Sequence, residues 1–593
     1  MSTMSVRNFL LLLLLLGLLA AFLELGRMDV STANEGQRAA PPAEMIRSGD
    51  FVLPTLNGKP YLAKPPLLYW IIAGLYRATG VTSEWTARVP TATSFVLLAL
   101  CIYLLFRRPA GETVARWAAL CALSAPYFLE RARWANLDVP LTLTTFLAVM
   151  ALHAAWNAGG AGRRYTMASL GGVALAAATM LKGPVPYLFV ATAALAYLLA
   201  ESGNPGKAAR QVLLWSLAAL GVALILWVAG LASLGRLHLR FPLALVLLCG
   251  GWLWCVVRAP GAPHRHVWPP LLCAVALAIV LCAPWAVAVL QRLGWDYLHG
   301  LLNAEVTDRT HTATAINSGS PFYFVLALPV MLAPFGLLLP LHASRRAWHG
   351  FTPFYRYCVL AGWMSVALFS AIAGKEYEYV LPGVPFLLGA LAFHLAHGKT
   401  TNLEGWEARY RNGWQRVMAV LLPVLAVGLP IYTVIEEFHV PLVIEETVIG
   451  LLALVILFRG DRRALTARWA VAAVLLVAGV MLTRSFHYTG KRSPKAIARQ
   501  CGDLVEAGYT VESSKVYPEF TFYAEHPIEE VIDPDTVRER MEGEAPYFYL
   551  TREKFLTGSE EAAGVSVISG PQGLKKLVLL ANPAGAAVVP NAT

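Results

Sequence analysis

The sequence predicts a mainly α-helical fold, a polytopic bundle of transmembrane helices with a small soluble α/β domain at its C-terminal end. Of the 593 residues, 57% are hydrophobic and only 14% are charged, and the mean hydropathy is +0.55. A soluble globule of this length needs more polar surface. Apolar runs of about 17–25 residues, the length of a helix that crosses a bilayer, recur along most of the chain.

These apolar runs predict about fifteen membrane spans. We place them at residues 8–26, 88–107, 114–130, 138–157, 165–181, 184–200, 211–234, 240–257, 268–290, 322–341, 356–373, 378–396, 414–434, 442–458 and 466–484. A secretory signal is the alternative interpretation of the first run. That run is long for a signal core and no small-x-small cleavage site follows it, so we expect a retained anchor.

The basic residues orient the predicted bundle. With the N-terminus in the cytoplasm, the short connections on that side hold 20 Lys and Arg, against 8 in the short outer connections. Basic short loops stay on the cytoplasmic side. The inner connections are 107–116, 158–164, 201–210, 258–267, 342–356, 397–416 and 459–468. We therefore expect the long first loop and the C-terminal tail to lie on the outer side of the membrane.

The charge and the cysteines exclude other classes of protein. The net charge of +11 is explained by the same bias and by attraction to anionic lipid head groups, so nucleic-acid binding is not needed. Seven of the eight cysteines fall in predicted spans, where they act as small apolar residues. The sequence has no CxxC or HExxH spacing, and we predict no metal site.

Residues 1–484 form the predicted transmembrane domain, and residues 485–593 are expected to form the α/β domain. Pro494–Ala507 has the pattern of an amphipathic helix. The strand-like segments are Lys515–Ala524, Tyr547–Lys554, Val565–Ser569 and Lys575–Ala581. This domain has no chemical motif, and we expect it to cap the membrane domain or to recognise a partner.

The predicted catalytic loop, residues 27–87, contains the charged, proline-rich stretch Ser48–Trp70. Backbone that is not helical cannot face hydrocarbon, so this stretch lies at the boundary between water and lipid. Pro65 and Pro66 fix the backbone after Lys64 and aim its ammonium, which makes Lys64 a candidate phosphate ligand. The alternative is a lysine that snorkels to the interface.

Other ionisable residues lie at predicted helix ends on the outer side, where charges are costly and usually serve a function. The guanidinium of Arg309 suits a phosphate, and Glu305 precedes it by four residues. Solvated loop positions are the alternative for Arg309 and Lys375. The set comprises Asp29, Glu35, Arg38, Glu44, Asp50, Arg131, Arg133, Asp138, Lys182, Glu305, Asp308, Arg309 and Lys375.

Two carboxylates are candidates for catalysis, and Glu35 is the candidate general base. Glycosyl transfer needs one base that takes a proton from the acceptor while cations hold the leaving phosphate. Glu35 lies in the first loop, where an ordinary loop glutamate is the alternative. Asp138 begins a predicted span, where a helix cap is the alternative.

The motifs between residues 29 and 396 resemble those of bacterial C-type glycosyltransferases, the protein-mannosyltransferase-like family that includes the lipid A aminoarabinose transferase. They occur in the family's order. The matches are Asn34-Glu35-Gly36-Gln37-Arg38, Leu56–Tyr61, Lys64–Trp70, Ala87–Pro90, Asn136–Leu141, Lys182-Gly183-Pro184, Pro284-Trp285, Glu305 with Arg309, Pro321-Phe322-Tyr323, and Lys375 with Tyr379–Pro382.

The resemblance implies a polyprenyl-phosphate sugar donor and an envelope acceptor such as lipid A, another glycolipid or a protein. Direct displacement at an inverting centre would release undecaprenyl phosphate. Phosphate-binding roles are implied for Lys64, Arg309, Lys375 and Tyr323, and catalytic roles for Glu35, Asp138 and Asp29. Further substrate-site candidates are Asn34, Arg38, Lys182, Glu305 and Tyr379. We expect a monomer in contact with the lipids of a bacterial inner membrane, with the first loop and the C-terminal domain in the periplasm. No cofactor is expected to be required; a divalent metal is possible but not supported by the sequence.

Three departures from the family pattern stand out. Asn34 replaces the first member of an acidic pair, which leaves Glu35 alone and makes Asp29 a substitute base. Ala63 stands where the aminoarabinose transferase has an acidic residue before its lysine. Residues 211–257 form an additional helical pair.

A transporter or flippase of lipid-linked sugars is the competing function, since it would also hold charges at membrane depth. Transporters often contain internal repeats, and none is found here, while the ionisable set clusters on one side. A catalytically inactive scaffold is a third alternative, because of Asn34.

Overall fold

Helices form most of the described chain, and the predicted fold class is confirmed. The computed structural model describes residues 4–231, 240–259, 261–302, 320–372, 374–397, 405–436, 440–458, 465–489, 493–555, 565–572 and 576–589. Within these ranges six helical segments are long and apolar enough to cross a membrane: Glu84–Ala110, Asp138–Trp156, His264–Tyr297, Tyr377–His397, Trp406–Ile435 and Val440–Phe458. Shorter apolar helices, such as Val6–Phe22 and Val185–Ala200, accompany them.

Every predicted span overlaps a helix. The helices before residue 303 are α1 (Val6–Phe22), α2 (Ala33–Ser48), α3 (Leu67–Thr79), α4 (Glu84–Ala110), α5 (Glu112–Ser124), α6 (Pro126–Ala132), α7 (Asp138–Trp156), α8 (Ala161–Lys182), α9 (Val185–Ala200), α10 (Pro205–Leu231), α11 (Arg240–Val257) and α12 (His264–Leu302). Those that follow, up to residue 489, are α13 (Tyr323–Met331), α14 (Arg345–Gly350), α15 (Pro353–Ser370), α16 (Val384–His397), α17 (Trp406–Glu436), α18 (Val440–Phe458) and α19 (Leu465–Thr489).

Three predicted spans are not single α-helices, and one of them, 378–396, consists of a 3₁₀ segment, Tyr377–Gly383, followed by α16. The span 114–130 consists of α5 and α6, which separate at Ala125, because Pro126 has no amide N–H to continue the first helix. The span 322–341 consists of α13 and a 3₁₀ segment, Phe335–Ala343, that follows Pro334. Proline therefore breaks apolar runs that composition alone predicts to be continuous.

The membrane helices share one apolar core. Phe106, near the end of α4, is fully buried in it, with ring centroids 5.5 Å from Phe146, 5.1 Å from Phe354 and 6.5 Å from Phe386. Tilted and edge-on contacts of this kind are the favoured arrangements of aromatic rings. They connect α4 to α7, α15 and α16, so the first third of the chain packs directly against the second.

The additional helical pair predicted at residues 211–257 is formed by α10 and α11, which pack against each other. A Cβ atom on Gly251 would lie 2.4 Å from the Trp215 ring, so only glycine permits this contact. The Trp252 indole N–H donates a hydrogen bond to Ser216 Oγ over 3.1 Å.

The C-terminal residues form a small α/β unit, in which a five-stranded sheet has the order β4-β3-β5-β7-β6. β3 pairs in parallel with β4 and β5, and the other pairs are antiparallel. Its elements are α20 (Lys495–Glu506), β3 (Thr510–Ser513), α21 (Pro518–Ala524), β4 (Glu529–Glu530), α22 (Pro534–Glu542), β5 (Tyr547–Arg552), β6 (Ser566–Gln572), β7 (Leu577–Ala581) and α23 (Pro583–Val588).

Four of the five elements predicted in this unit overlap elements of the predicted type, and one is wrong. The segment Lys515–Ala524 was expected to be a strand, but its second half is the helix α21. Pro518 is well placed in a first helical turn, where its missing N–H costs nothing. A short aromatic run can be buried as a helix or as a strand, and its pattern does not distinguish the two.

The first loop folds as α2, a short hairpin and α3. The hairpin pairs β1 (Thr55–Leu56) with β2 (Lys59–Pro60). Its turn residues, Asn57 and Gly58, both have positive φ, 54° and 71°, as a two-residue type I′ turn requires. The Glu44 carboxylate accepts hydrogen bonds from the amides of Asn57, at 2.7 Å, and Gly58, at 3.2 Å. A buried carboxylate of α2 thus holds the turn.

The C-terminal unit is docked on this first loop. The Asn57 side-chain amide donates to the Ile528 carbonyl and accepts from the Ile528 amide, both over 2.8 Å. A Cβ on Gly36 would lie 2.3 Å from the Glu519 nitrogen, so α2 approaches α21 closely only because residue 36 is glycine. We call the end of the helices covered by residues 27–87 and 493–589 the loop face.

Candidate active site at the loop face

Glu35, expected to be the general base, is a buried structural anchor. It lies in the first turn of α2, whose N-cap Thr32 accepts a hydrogen bond from the Glu35 amide over 3.3 Å. Its two carboxylate oxygens face the Arg88 guanidinium at 2.7 and 3.1 Å, and the Ala135 amide donates to it over 3.0 Å. The side chains of Glu35 and Arg88 are 1% and 0% exposed.

Arg88 itself is fully engaged. Its Nη1 donates to the carbonyls of Leu25, over 2.9 Å, and Met28, over 2.5 Å. The pair therefore ties the end of α1, the start of α2 and the residues before α7 together. A base must reach the acceptor's proton, and a carboxylate enclosed in this way does not. We correct the expected role of Glu35 accordingly.

Asp29, the substitute base, is committed to the contact between the first loop and the C-terminal unit. Lys495 Nζ lies 3.0 Å from Asp29 and 2.6 Å from Glu84. The Tyr523 hydroxyl donates to Glu84 over 3.0 Å and accepts from the Val30 amide over 2.7 Å. Burial alone would lower the pKa of Lys495, but its hydrogen bonds to the two carboxylates raise it above the usual value. A catalytic role for Asp29 stays a prediction.

Asp138 and Lys182, proposed separately from the sequence, are partners. Asp138 is the first residue of α7 and Lys182 is the last residue of α8, and these two helices are antiparallel neighbours. Lys182 Nζ donates to Asp138 Oδ1 over 2.5 Å. The side chains of Lys182 and Asp138 are 13% and 7% exposed, so the pair is less completely enclosed than Glu35–Arg88. The second oxygen, Asp138 Oδ2, accepts no hydrogen bond from the residues that the structure describes.

The first loop brings Lys64 to the same region. Lys64 precedes α3, whose Leu68 packs in one apolar cluster with Leu137 and Leu141 near the start of α7 and Leu181 near the end of α8. Its Nζ donates to the Ala63 carbonyl over 2.6 Å, and the side chain is half-buried. A phosphate-binding role for Lys64 stays a prediction.

Asn34 and Arg38 lie on α2. Asn34 is exposed at the start of the helix. Arg38 Nη1 donates to the Tyr69 hydroxyl over 3.1 Å and to the Gln37 carbonyl over 3.3 Å. The bond between Arg38 and Tyr69 connects α2 to α3, the helix that follows Lys64.

A carboxylate that sequence reasoning missed, Glu378, lies beside the Asp138–Lys182 pair. The Tyr127 hydroxyl donates to Glu378 Oε2 over 2.6 Å, and Arg131 Nη2 lies 4.0 Å from the same oxygen. Glu378 also interacts electrostatically with Lys182. Tyr127 and Glu378 are 251 residues apart in the chain, so no local pattern could have revealed the contact.

Tyrosine rings surround this carboxylate. Tyr377 stacks on Tyr323, with ring centroids 4.8 Å apart and an interplanar angle of 22°, and meets Tyr127 edge-on at 5.6 Å. The Tyr379 ring centroid lies 5.3 Å from Lys182 Nζ. The structure therefore groups two predicted residues, Tyr323 and Tyr379, with the Asp138–Lys182 pair.

Lys375, expected to bind phosphate, instead caps a helix. Its Nζ donates to the carbonyls of Phe369, over 3.0 Å, Ser370, over 2.8 Å, and Ile372, at the C-terminal end of α15. Three donors are all that an ammonium has. Burial lowers the pKa of Lys375 to about 7. With its donors occupied and its side chain 2% exposed, Lys375 is not placed to hold a phosphate.

Glu305, Asp308 and Arg309 lie outside the described residues, and their predicted roles are not tested. Among the residues the structure does describe, no group of three or more His, Cys, Asp and Glu side chains could hold a metal ion. The loop face thus contains two oriented carboxylates. Asp138 is held by Lys182, Glu378 is held by Tyr127 and Arg131, and several tyrosine rings lie nearby.

Comparisons with known proteins identify similar sequences and a similar fold. Residues 63–232 match the family model described as dolichyl-phosphate-mannose-protein mannosyltransferase. Two curated undecaprenyl phosphate-α-4-amino-4-deoxy-L-arabinose arabinosyl transferases are similar over about two thirds of the chain. The protein of Shewanella sediminis is 23% identical over 64% of this chain and 58% of its own length, and that of Pseudomonas savastanoi pv. phaseolicola is 27% identical over 65% and 62%. The chain thus spans less than two thirds of either relative.

The fold has a solved counterpart. The crystal structure of ArnT from Cupriavidus metallidurans bound to undecaprenyl phosphate superposes with a TM-score of 0.70 and 20% identity, over 99% of this chain and all of that one. Its apo state gives a TM-score of 0.69. In fold and in sequence, this multi-span membrane chain is therefore similar to ArnT, a C-type glycosyltransferase.

Proposed function

We propose that the chain transfers a sugar from an undecaprenyl-phosphate donor to an envelope acceptor, such as lipid A, another glycolipid or a protein, at the periplasmic face of a bacterial inner membrane. Its similarity to curated aminoarabinose transferases supports an undecaprenyl-phosphate sugar as donor. We assign the loop face to the periplasm. This face contains the two carboxylate clusters and Lys64, and the assignment agrees with the bias of basic residues.

The observation that carries this proposal is the Asp138–Lys182 pair. Lys182 fixes one oxygen of Asp138, and the other can take the proton of an acceptor hydroxyl. The hydroxyl oxygen then attacks the anomeric carbon of the donor, and the bond from that carbon to the phosphate oxygen breaks. Undecaprenyl phosphate leaves with the bonding electrons. Lys64 is the cation that we assign to the leaving phosphate, since charge that develops there needs a fixed counter-charge.

A detergent assay tests the proposal. Purified full-length protein is incubated with a radiolabelled undecaprenyl-phosphate sugar and lipid A, and free undecaprenyl phosphate and labelled lipid A are measured. We expect both products to form together and Asp138→Asn to suppress both. Transport needs two compartments, so product in detergent also separates transfer from a flippase. If a panel of sugars and acceptors yields no undecaprenyl phosphate, the proposal is wrong.

We also propose that transfer needs no divalent metal. Cationic side chains would then supply all of the charge that faces the phosphate. Addition of EDTA to the same assay should leave the rate unchanged, and restoration of a lost rate by Mg²⁺ or Zn²⁺ would contradict this.

A further inference from the structure

We propose that Glu378 and the rings of Tyr377 and Tyr323 form the subsite for the sugar ring of the donor, an inference that rests on the proposed function and deepens it. The carboxylate of Glu378 is only half used. Its Oε2 faces Tyr127 and Arg131, while Oε1 accepts no hydrogen bond from any residue in the described ranges. A hydrogen-bond acceptor fixed at one end and open at the other suits a ligand rich in hydroxyl groups.

The partners of Glu378 are themselves held in place. The guanidinium carbon of Arg131 lies 4.9 Å from the centroid of the Tyr127 ring and 5.6 Å from that of Trp134. Such cation–π contacts restrict a long, flexible side chain. The open oxygen of Glu378 therefore has a defined direction before any substrate arrives, which lowers the entropic cost of binding.

An aromatic platform follows from the residues on either side of this carboxylate. Tyr377 is stacked on Tyr323 and meets Tyr127 edge-on, yet 39% of it is exposed. A large ring that is packed on two sides and exposed on another is suited to stack against the apolar face of a sugar ring. Hydroxyl groups at the rim of that sugar would then reach Glu378. Tyr379, two residues further on, contacts Lys182, so the sugar would lie next to Asp138.

The opposite end of the helices contains a cluster of the same composition with no open atom. There Glu112 accepts from Tyr103 over 2.6 Å and Arg116 over 2.8 Å through Oε1, and from Arg107 over 2.7 Å through Oε2. Both oxygens are occupied, as in a purely structural network. The contrast shows what distinguishes Glu378, and Glu112→Gln provides a matched control.

Equilibrium binding tests the subsite without relying on turnover. Full-length protein in detergent is titrated with undecaprenyl phosphate, undecaprenyl-phosphate aminoarabinose and undecaprenyl-phosphate glucose, each in competition with labelled undecaprenyl phosphate. We define the sugar increment as a ratio of two dissociation constants. It is the Kd of undecaprenyl phosphate divided by the Kd of whichever sugar-bearing lipid binds more tightly. We expect Glu378→Gln to lower this increment about tenfold, the loss of one charge-assisted hydrogen bond, and to leave the Kd of sugar-free lipid within about twofold.

The control variants sharpen the result. Tyr377→Phe keeps the ring and should keep the increment, Tyr377→Ala should reduce it, and Glu112→Gln should leave it unchanged. A wild-type protein that binds neither sugar-bearing lipid more tightly than sugar-free lipid would overturn the subsite. So would a Glu378→Gln variant that weakens all three lipids equally. A normal increment without any transfer would refute the proposed function and leave the subsite intact.

Discussion

Two acid–base pairs at the loop face look alike in sequence and differ in structure. Glu35 pairs with Arg88 and Asp138 pairs with Lys182, and the shortest N–O distances are 2.7 and 2.5 Å. The first pair is completely enclosed, with both carboxylate oxygens occupied. The second is slightly exposed and keeps one oxygen open.

The difference separates stability from chemistry. A buried pair contributes little net stability compared with apolar residues of the same shape, but removal of one partner leaves an uncompensated charge. Glu35–Arg88 therefore fixes the first loop relative to α1 and α7. A carboxylate that keeps one oxygen open can exchange a proton with a substrate, so Asp138–Lys182 is the pair on which chemistry should depend.

The largest expected effect is on the second pair. Asp138→Asn removes the proposed base and leaves a side chain of the same size. We expect transfer to fall by about 10²- to 10⁴-fold, the usual contribution of general acid–base catalysis. The rate of undecaprenyl phosphate release measures this. Thermal unfolding of the variant should stay cooperative, and a variant with normal transfer would remove Asp138 from the mechanism.

The fold could be predicted from the sequence because the bilayer fixes the length of each span, and every predicted span overlaps a helix. The site could be predicted only in part. Asp138 and Lys182 were both recognised, since each stands at a helix end, but their pairing depends on the packing of α7 against α8. The helix breaks at Pro126 and Pro334 were missed because each span was predicted from the hydrophobicity of a long segment, and one proline changes that hydrophobicity very little.

The errors have one physical cause. Burial of a carboxylate depends on partners that are distant in sequence: Arg88 follows Glu35 by 53 residues, and Tyr127 precedes Glu378 by 251. The alternation of charged and aromatic residues around Glu378 gives no sign of either contact. Lys375 was misassigned for the same reason, because the carbonyls that it caps are visible only in the folded chain.

The next largest effect concerns the enclosed pair. Glu35→Gln leaves the Arg88 charge buried without its counter-ion, and we expect a loss of about 3–5 kcal/mol in the free energy of unfolding. Thermal unfolding of the purified protein measures this. The double variant Glu35→Leu with Arg88→Met is the control and should be more stable than Glu35→Gln. Normal stability of Glu35→Gln together with lost transfer would restore Glu35 as the base and break the comparison.

A smaller effect is expected where the two docked regions meet. Lys495→Met leaves Asp29 and Glu84 without their shared cation and should weaken docking of the C-terminal unit by about 1 kcal/mol, since this cluster is partly exposed. Faster proteolysis between residues 485 and 495 would report it, with Lys495→Arg as the control.

The pKa of Lys495 is raised in the folded protein, so the stabilisation is present at neutral pH and is lost as the pH rises through that raised value. Docking that is stronger at pH 11 than at pH 7 would contradict this.

The smallest effect should come from a pair that is as short as the others but exposed. Arg292 Nη1 lies 2.5 Å from Asp50 Oδ2, yet these side chains are 47% and 33% exposed. Arg292→Gln should therefore cost only about 0.2–1 kcal/mol, and less at high salt. Burial opposes ionisation of Asp50, but the amides of Val52 and Leu53 and the Arg292 guanidinium lower its pKa. The stabilisation is thus present at neutral pH and disappears as the pH falls through that lowered value. Thermal unfolding in low and high salt measures the difference. A large, salt-independent loss would mean that distance, and not exposure, sets the energy of these pairs.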